Sequence, residues 1–145
     1  MTPTLTFTVY GVAVPKGSMK AFVPKGWTRP VITHDNVKTK PWGQDISRSA
    51  LLARGDHPII TDDALVLELQ FFLPRPTSLP KRITRHTKKP DLDKLTRTVN
   101  DALKGIVYRD DSQVDELRCV KRYAGGPFDL EGVLGAPRLE VTVHR

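Results

Sequence analysis

Residues 65–73 read LVLELQFFL and form the most regular apolar pattern in this chain of 145 residues. Every second position in this segment is a large apolar residue, and Val66 and Phe72 add apolar side chains to the other face. A period of two residues is typical of a β-strand, and apolar residues on both faces indicate burial on both. The segment therefore predicts a central, largely buried strand that ends at Pro74.

A period close to four residues predicts an amphipathic helix on each side of this strand in the sequence. The first helix begins near Pro41 and ends at Gly55, as expected for proline in a first turn and glycine after a last one. Its apolar positions are Trp42, Ile46, Ala50 and Ala53. The second helix closes at Lys104 and Gly105, and its apolar positions are Leu92, Leu95, Val99 and Leu103.

Shorter alternating segments predict the remaining strands. They lie at residues 5–9, 117–123 and 139–143, and a hairpin with a basic tip is expected around residues 24–27. The resulting order, β-α-β-α-β-β, predicts an α+β fold. We expect a single domain over residues 1–145, in which two helices cover a small mixed β-sheet.

The positive charge is concentrated in two predicted loops. Residues 74–90 carry +6 and residues 15–40 carry +5, which leaves −4 of the net +7 for the other residues. Clustered cations bind polyanions such as nucleic acids, although solvated loops that serve solubility are an alternative. The candidate DNA-binding residues are Lys16, Lys20, Lys25, Arg29, Arg75, Lys81, Arg82, Arg85, Lys88, Lys89, Lys94 and Lys121. The loop at 74–90 lacks apolar anchors in the sequence, so we expect it to be mobile without DNA.

Several classes of protein are excluded by what the sequence lacks. Cys119 is the single cysteine and the four histidines are far apart, which excludes a disulfide or a Cys/His zinc site within one chain. No apolar run approaches the roughly 18 residues of a membrane span, and no export signal is visible, so we expect a cytoplasmic protein. The glycines match no phosphate-binding motif, and no nucleotide cofactor is expected.

Two carboxylates, Asp91 and Asp93, follow the second basic loop at the start of the second helix. Residues two apart lie about 200° from each other around a regular helix, so they share a site only if Asp91 is the non-helical N-cap. Pro90 favours that arrangement, and the helix N-terminus favours the ionised form of both groups. The alternative is that both acids simply cap or stabilise the helix.

A third carboxylate can return from beyond the turn at Gly105, from either Asp110 or Asp111. Three carboxylates beside Lys94, Arg97 and a cationic loop would suit Mg²⁺ held against a phosphodiester. A pair of adjacent aspartates is otherwise typical of a turn. For Arg97 the alternative is a surface ion pair with Asp101, four residues later on the same helix face.

Three segments resemble the RusA family of Holliday junction resolvases in order and spacing: KPDLDKL at 89–95, NDAL at 100–103 and DDSQV at 110–114. Residues 15–20, PKGSMK, are similar to the N-terminal signature of phage and prophage members. One position departs from the pattern. Arg97 stands where the best-known member has a functional lysine, which keeps the charge and changes its geometry.

The resemblance implies that Asp91, Asp93 and Asp111 are the essential acids and ligate Mg²⁺, with Mn²⁺ as a substitute, at one site per chain. It implies a homodimer that cuts two symmetry-related strands of a four-way DNA junction. Hydrolysis would use a metal-activated water, with Arg97 or Lys94 neutralising the developing charge.

Three other functions compete with this interpretation. The first is a nuclease for branched DNA or RNA in general, and the second is a non-catalytic DNA-binding protein whose acids are caps and turn residues. The third is a phosphohydrolase for small substrates, which the combined +11 of the two basic loops disfavours.

Overall fold

The structure is a computed structural model that describes residues 3–17, 19–34, 37–130 and 135–145. In chain order its elements are β1 Leu5–Tyr10, β2 Met19–Phe22, β3 Val31–His34, α1 Thr39–Arg54, β4 Leu65–Leu73, α2 Leu92–Leu103, a short 3₁₀ helix at Asp111–Gln113, β5 Val114–Tyr123 and β6 Arg138–His144. The predicted order is confirmed, with the predicted hairpin, β2 and β3, inserted before α1.

In the described part of the chain, four strands form a mixed sheet in the order β1-β6-β4-β5. β4 pairs antiparallel with β6 on one side and parallel with β5 on the other, which confirms it as a central strand. β2 and β3 form a separate antiparallel pair, with a turn at Lys25 and Gly26 between them. β5 comes last in the order of the four-stranded sheet and is therefore an edge strand. The second basic loop, residues 74–90, lies on that side of the sheet.

The core lies between this sheet and the two helices, which pack on each other as well as on the strands. Ile46 of α1, Leu95 and Val99 of α2 and Leu67 of β4 are each fully buried in one cluster. The fold is thus an α+β domain in which α1 and α2 cover one small mixed sheet, as predicted. Neither of these helices is long and apolar enough to cross a membrane, within the residues described.

The position of α2 against β5 determines where the candidate site residues lie. Lys121, near the end of β5, donates hydrogen bonds to the backbone carbonyls of Lys88 and Pro90, just before α2 begins. Lys104, just after α2 ends, contacts Asp110, shortly before β5 begins. The helix therefore runs antiparallel to β5, so its first turn lies beside the C-terminal half of that strand.

The second basic loop has polar and aromatic anchors that the apolar pattern did not reveal, while its mobility without DNA stays a prediction. The Arg75 guanidinium donates to the carbonyl of Pro80 at 3.0 Å and lies 5.1 Å from the ring centroid of Tyr123. The imidazole of His86 packs on the same tyrosine, with the ring centroids 4.4 Å apart. Polar and aromatic side chains of the loop thus anchor it on Tyr123, at the end of β5.

Candidate active site

Asp91 occupies the N-cap position of α2 without using its side chain as a cap. Its backbone is extended (φ −70°, ψ 138°), while its carbonyl accepts the first helical hydrogen bond, from the Leu95 N–H at 3.1 Å. The carboxylate makes no capping bond and is exposed. The condition set for a shared site, a non-helical Asp91, is therefore met, and capping does not explain the residue.

Asp93 lies in the first turn of α2, and Arg97 lies one turn further on; both side chains are exposed. Within the described residues, neither makes a hydrogen bond or an ion pair. The alternative of an Arg97–Asp101 surface pair is not what forms, because Asp101 instead binds the Lys16 ammonium at 2.7 Å. The guanidinium of Arg97 is left free on the face that carries Asp93.

Asp110 and Asp111 lie beyond the other end of α2. Asp110 forms a capping box with Gln113, accepts a hydrogen bond from the Ser112 hydroxyl at 2.5 Å and pairs with Lys104 at 3.1 Å. The hydrogen bond from Ser112, followed by Lys104, lowers the pKa of Asp110 to about 2. Asp110 thus has a local structural role, whereas Asp111, next to it, is exposed.

The structure brings Asp91 and Asp93 together at one end of α2 and leaves Asp111 at the other. The twelve residues of the helix span roughly 18 Å. Across the described part of the chain, no three carboxylate, imidazole or thiol groups lie close enough to hold one metal ion. Within the described residues of one chain, the three predicted acids are therefore not brought together.

The predicted DNA-binding residues fall into two groups. The exposed ones are Lys25, Arg29, Lys81, Arg82, Arg85, Lys88 and Lys89. The half-buried ones are Lys16, Arg75, Lys94 and Lys121. Lys20 falls in β2, and its side chain lies outside what the structure describes. Among the half-buried group, Arg75 and Lys121 hold the second basic loop against β5, and the hydrogen bond to the Pro90 carbonyl keeps the charge of Lys121 beside the start of α2.

Sequence reasoning missed a cleft of about 540 Å³ that includes Leu92, the residue between Asp91 and Asp93 in the sequence. It is lined by Thr84, Arg85, His86, Thr87, Leu92, Cys119, Val120, Lys121, Arg122 and Phe128. Burial, followed by the nearby charge of Lys121, lowers the pKa of His86. These residues come from four separate segments with no shared motif, so only their strong positive charge was visible in the sequence.

Phe128 is held at the rim of this cleft by a buried ion pair. Arg138 of β6 donates hydrogen bonds to both carboxylate oxygens of Asp129, the residue after Phe128, at 2.6 and 3.0 Å. The Arg138 guanidinium also lies 4.1 Å from the ring centroid of Phe72. Asp129 also accepts a hydrogen bond from the Gly125 N–H at 2.8 Å. The segment that carries Phe128 is thereby fastened to the sheet.

Comparisons with known proteins agree with this arrangement. The family described as Endodeoxyribonuclease RusA matches residues 14–143, which include both basic loops, α2 and β5. A protein of Bacillus subtilis (strain 168) described as "Uncharacterized protein YqaN" is 31% identical over 134 residues, which cover 85% of this chain and 90% of that protein.

Proposed function

Because this chain belongs to the family Endodeoxyribonuclease RusA, we propose that it is a Mg²⁺-dependent nuclease that resolves four-way DNA junctions. The observation that carries the proposal is the pair of carboxylates at the start of α2, which bond to no group in the part of the chain that the structure describes. Asp91 stands at a cap position and makes no cap, and a cationic loop leads directly into it. A purely structural helix start would not need that combination.

The residues at this end of α2 fit a magnesium ion. Carboxylate oxygens are its preferred protein ligands, and one or two carboxylates commonly suffice when water and a substrate phosphate complete the shell. Asp91 and Asp93 would hold the ion. When bound, it would supply a water of lowered pKa and polarise the scissile phosphate. Mn²⁺, which accepts the same oxygen ligands, is the expected substitute.

The other residues have distinct roles in this proposal. Arg97, free and one turn after Asp93, would neutralise charge that develops on the phosphate. Lys121 keeps the end of the second basic loop against β5 through the carbonyl of Pro90 at 2.8 Å. The exposed cations of both basic loops would bind phosphates on either side of the cut, which fixes the register of the DNA.

The third acid leads to the proposal of a homodimer. Since α2 separates Asp111 from Asp91 and Asp93 within one chain, a three-carboxylate site would have to take Asp111 from a second copy. A two-fold dimer also matches the two-fold symmetry of a four-way junction. We therefore propose the homodimer as the active form, with two equivalent sites.

One assay tests the function. The purified protein is incubated with end-labelled four-way, three-way and linear duplex DNA, with and without Mg²⁺. We expect paired cuts in the four-way junction that require the metal. Equal cutting of all branched substrates would favour a general branched-DNA nuclease, and binding without cutting would contradict the enzymatic proposal.

A further inference from the structure

The cleft beside α2, lined by Arg85, His86, Lys121, Arg122 and Phe128, is not used by the proposed chemistry. Its volume of about 540 Å³ is within the roughly 300–1,000 Å³ of sites that bind a small molecule. Leu92, between Asp91 and Asp93 in the sequence, forms part of its wall. A group bound there would lie close to the proposed cutting site.

The rim of the cleft combines an aromatic face with a stacked cation. Phe128 is 43% exposed, which leaves its ring accessible, and the Arg122 guanidinium lies 5.2 Å from its ring centroid. Planar bases of nucleic acids stack on aromatic rings and on guanidinium groups in the same way. An occupant that is flat, aromatic and attached to a phosphate would match both features.

The charges and polar atoms of the cleft point to the same occupant. Arg85, Lys121 and Arg122 give it three positive charges, which disfavours an apolar ligand and favours one that carries a phosphate. The imidazole of His86 also lines the cleft, so an occupant with polar edges fits better than a hydrocarbon. A phosphate alone would leave the ring of Phe128 unused.

We propose that this cleft binds one unpaired nucleobase at the branch point of the DNA. The inference rests on the proposed function and adds its basis for selecting branched DNA. Bases inside a linear duplex are stacked on both sides, whereas a base at an open branch point lacks one stacking neighbour, so unpairing it there costs less free energy. The cleft should therefore favour binding of a branch point over binding of an intact duplex.

The test removes either the ring or the base. Dissociation constants are measured without divalent metal for Phe128→Ala, Phe128→Tyr and wild type. The probes are a four-way junction, a set of the same junctions in which one symmetry-related pair of nucleotides flanking the branch is abasic, and a linear duplex. The matched control is Leu130→Ala, because Leu130 is 93% exposed in the same segment and does not line the cleft.

Loss of one stacked base should weaken junction binding by about 5- to 100-fold. We expect Phe128→Ala to show this loss at both clefts of the homodimer on the intact junction. At one symmetry-related abasic pair, wild type should lose the same factor and Phe128→Ala should lose nothing more. Phe128→Tyr and Leu130→Ala should bind like wild type, and no variant should change duplex binding. Equal binding by Phe128→Ala and wild type, or a loss that is the same at every abasic position, would overturn the proposal.

The two proposals fail separately in this design. If wild type cuts no junction in Mg²⁺, the nuclease proposal fails, while the coupling between Phe128 and a base is still decided by binding. If wild type cuts junctions and the abasic positions show no coupling to Phe128, the cleft proposal alone fails. Melting temperatures of the variants verify that each one is folded.

Discussion

Asp91 occupies the N-cap position of α2, yet its carboxylate does not cap the helix and is available to bind another group. An N-cap aspartate normally accepts a hydrogen bond from a backbone N–H in the first turn, and its loss costs about 0.5–2 kcal/mol. Here the backbone adopts the capping conformation and the carboxylate does not bond to the helix. The stability of α2 therefore depends little on this side chain, which separates its structural role from its chemical one.

Asp91→Asn should abolish cleavage and leave the melting temperature unchanged. The amide is a poor ligand for Mg²⁺, and removal of the carboxylate should reduce the rate by at least the roughly 10- to 100-fold seen when an outer group of a metal site is removed. Junction cleavage and thermal melting are measured on the same preparation. Asparagine caps a helix about as well as aspartate, so a variant that keeps its melting temperature and still cuts near the wild-type rate would mean that Asp91 is only a structural residue.

Asp110 differs from its neighbour Asp111 because its carboxylate is already engaged. Its pKa lies below the ordinary value of 3.8, at about 2, because Ser112 and then Lys104 favour the ionised form. A lowered pKa in the folded state contributes stability above the unfolded value, and this contribution is lost as the pH falls through the folded value.

Asp110→Asn should therefore lower the free energy of unfolding at pH 5 and have almost no effect near pH 2. The interaction is screened by solvent, so the effect should be modest. Urea unfolding of both proteins at pH 5, 4, 3 and 2 measures it. A difference between the two proteins that stays constant over this range would contradict the role given to Ser112 and Lys104.

The elements themselves were largely predictable, since their periods are local properties of the sequence. β4 and α2 were found within one or two residues because each repeats its apolar positions over several turns or pleats. The packing of His86 on Tyr123 was not predictable, because the partners are far apart in the sequence and neither belongs to a regular pattern. Contacts of that kind anchor the second basic loop.

The same distinction applies to the site. The non-helical position of Asp91 followed from Pro90, which is adjacent to it. The separation of Asp111 from Asp93 was missed because it depends on how far the chain returns after α2. The turn at Gly105 keeps residues 108–111 near the last turn of the helix, where Tyr108 donates to the Asn100 side chain at 2.8 Å. The position of the third acid is thus a tertiary property.

The second basic loop offers a direct test of phosphate binding. Replacing Lys81 and Arg82, both exposed, with alanine should flatten the slope of log affinity against log salt by about 0.9 for each phosphate that the loop no longer binds. Fluorescence anisotropy with a labelled junction, between low and moderate salt, gives the slope.

The matched control replaces two exposed arginines outside both basic loops, Arg48 and Arg118. This pair removes the same net charge and should leave the slope unchanged if binding is confined to the loops. Equal flattening by both double variants would instead mean that net charge alone governs affinity, and would contradict a specific role for the loop.

The molecule combines a mildly acidic body with two cationic loops, and it divides its three candidate acids between opposite ends of one helix. If one ion needs all three, two chains must cooperate. Each site of the homodimer would then take Asp91 and Asp93 from one subunit and Asp111 from its partner. This arrangement would tie cleavage to dimer formation and prevent a lone subunit from cutting DNA.

Mixing two inactive variants, Asp93→Asn and Asp111→Asn, should therefore restore activity. In a mixed dimer, one site takes Asp91 and Asp93 from the Asp111→Asn chain and Asp111 from the Asp93→Asn chain, so that site is complete. The other site lacks both altered carboxylates and stays inactive. We expect a nick in one of the two symmetry-related strands of a four-way junction. The cleavage rate per mixed dimer should be up to half of the wild-type rate.

The readout is a nicked product on a denaturing gel after the two variants are unfolded together and refolded, or co-expressed with different tags and purified through both. Each variant alone is the control and should give no product. If all three acids of a site came from one chain, every site in the mixed dimer would carry one substitution. Absence of nicking by a verified mixed dimer would then place the complete site within a single subunit. In that case Asp111, which follows α2, would have to move toward Asp91 and Asp93 at the first turn of the helix.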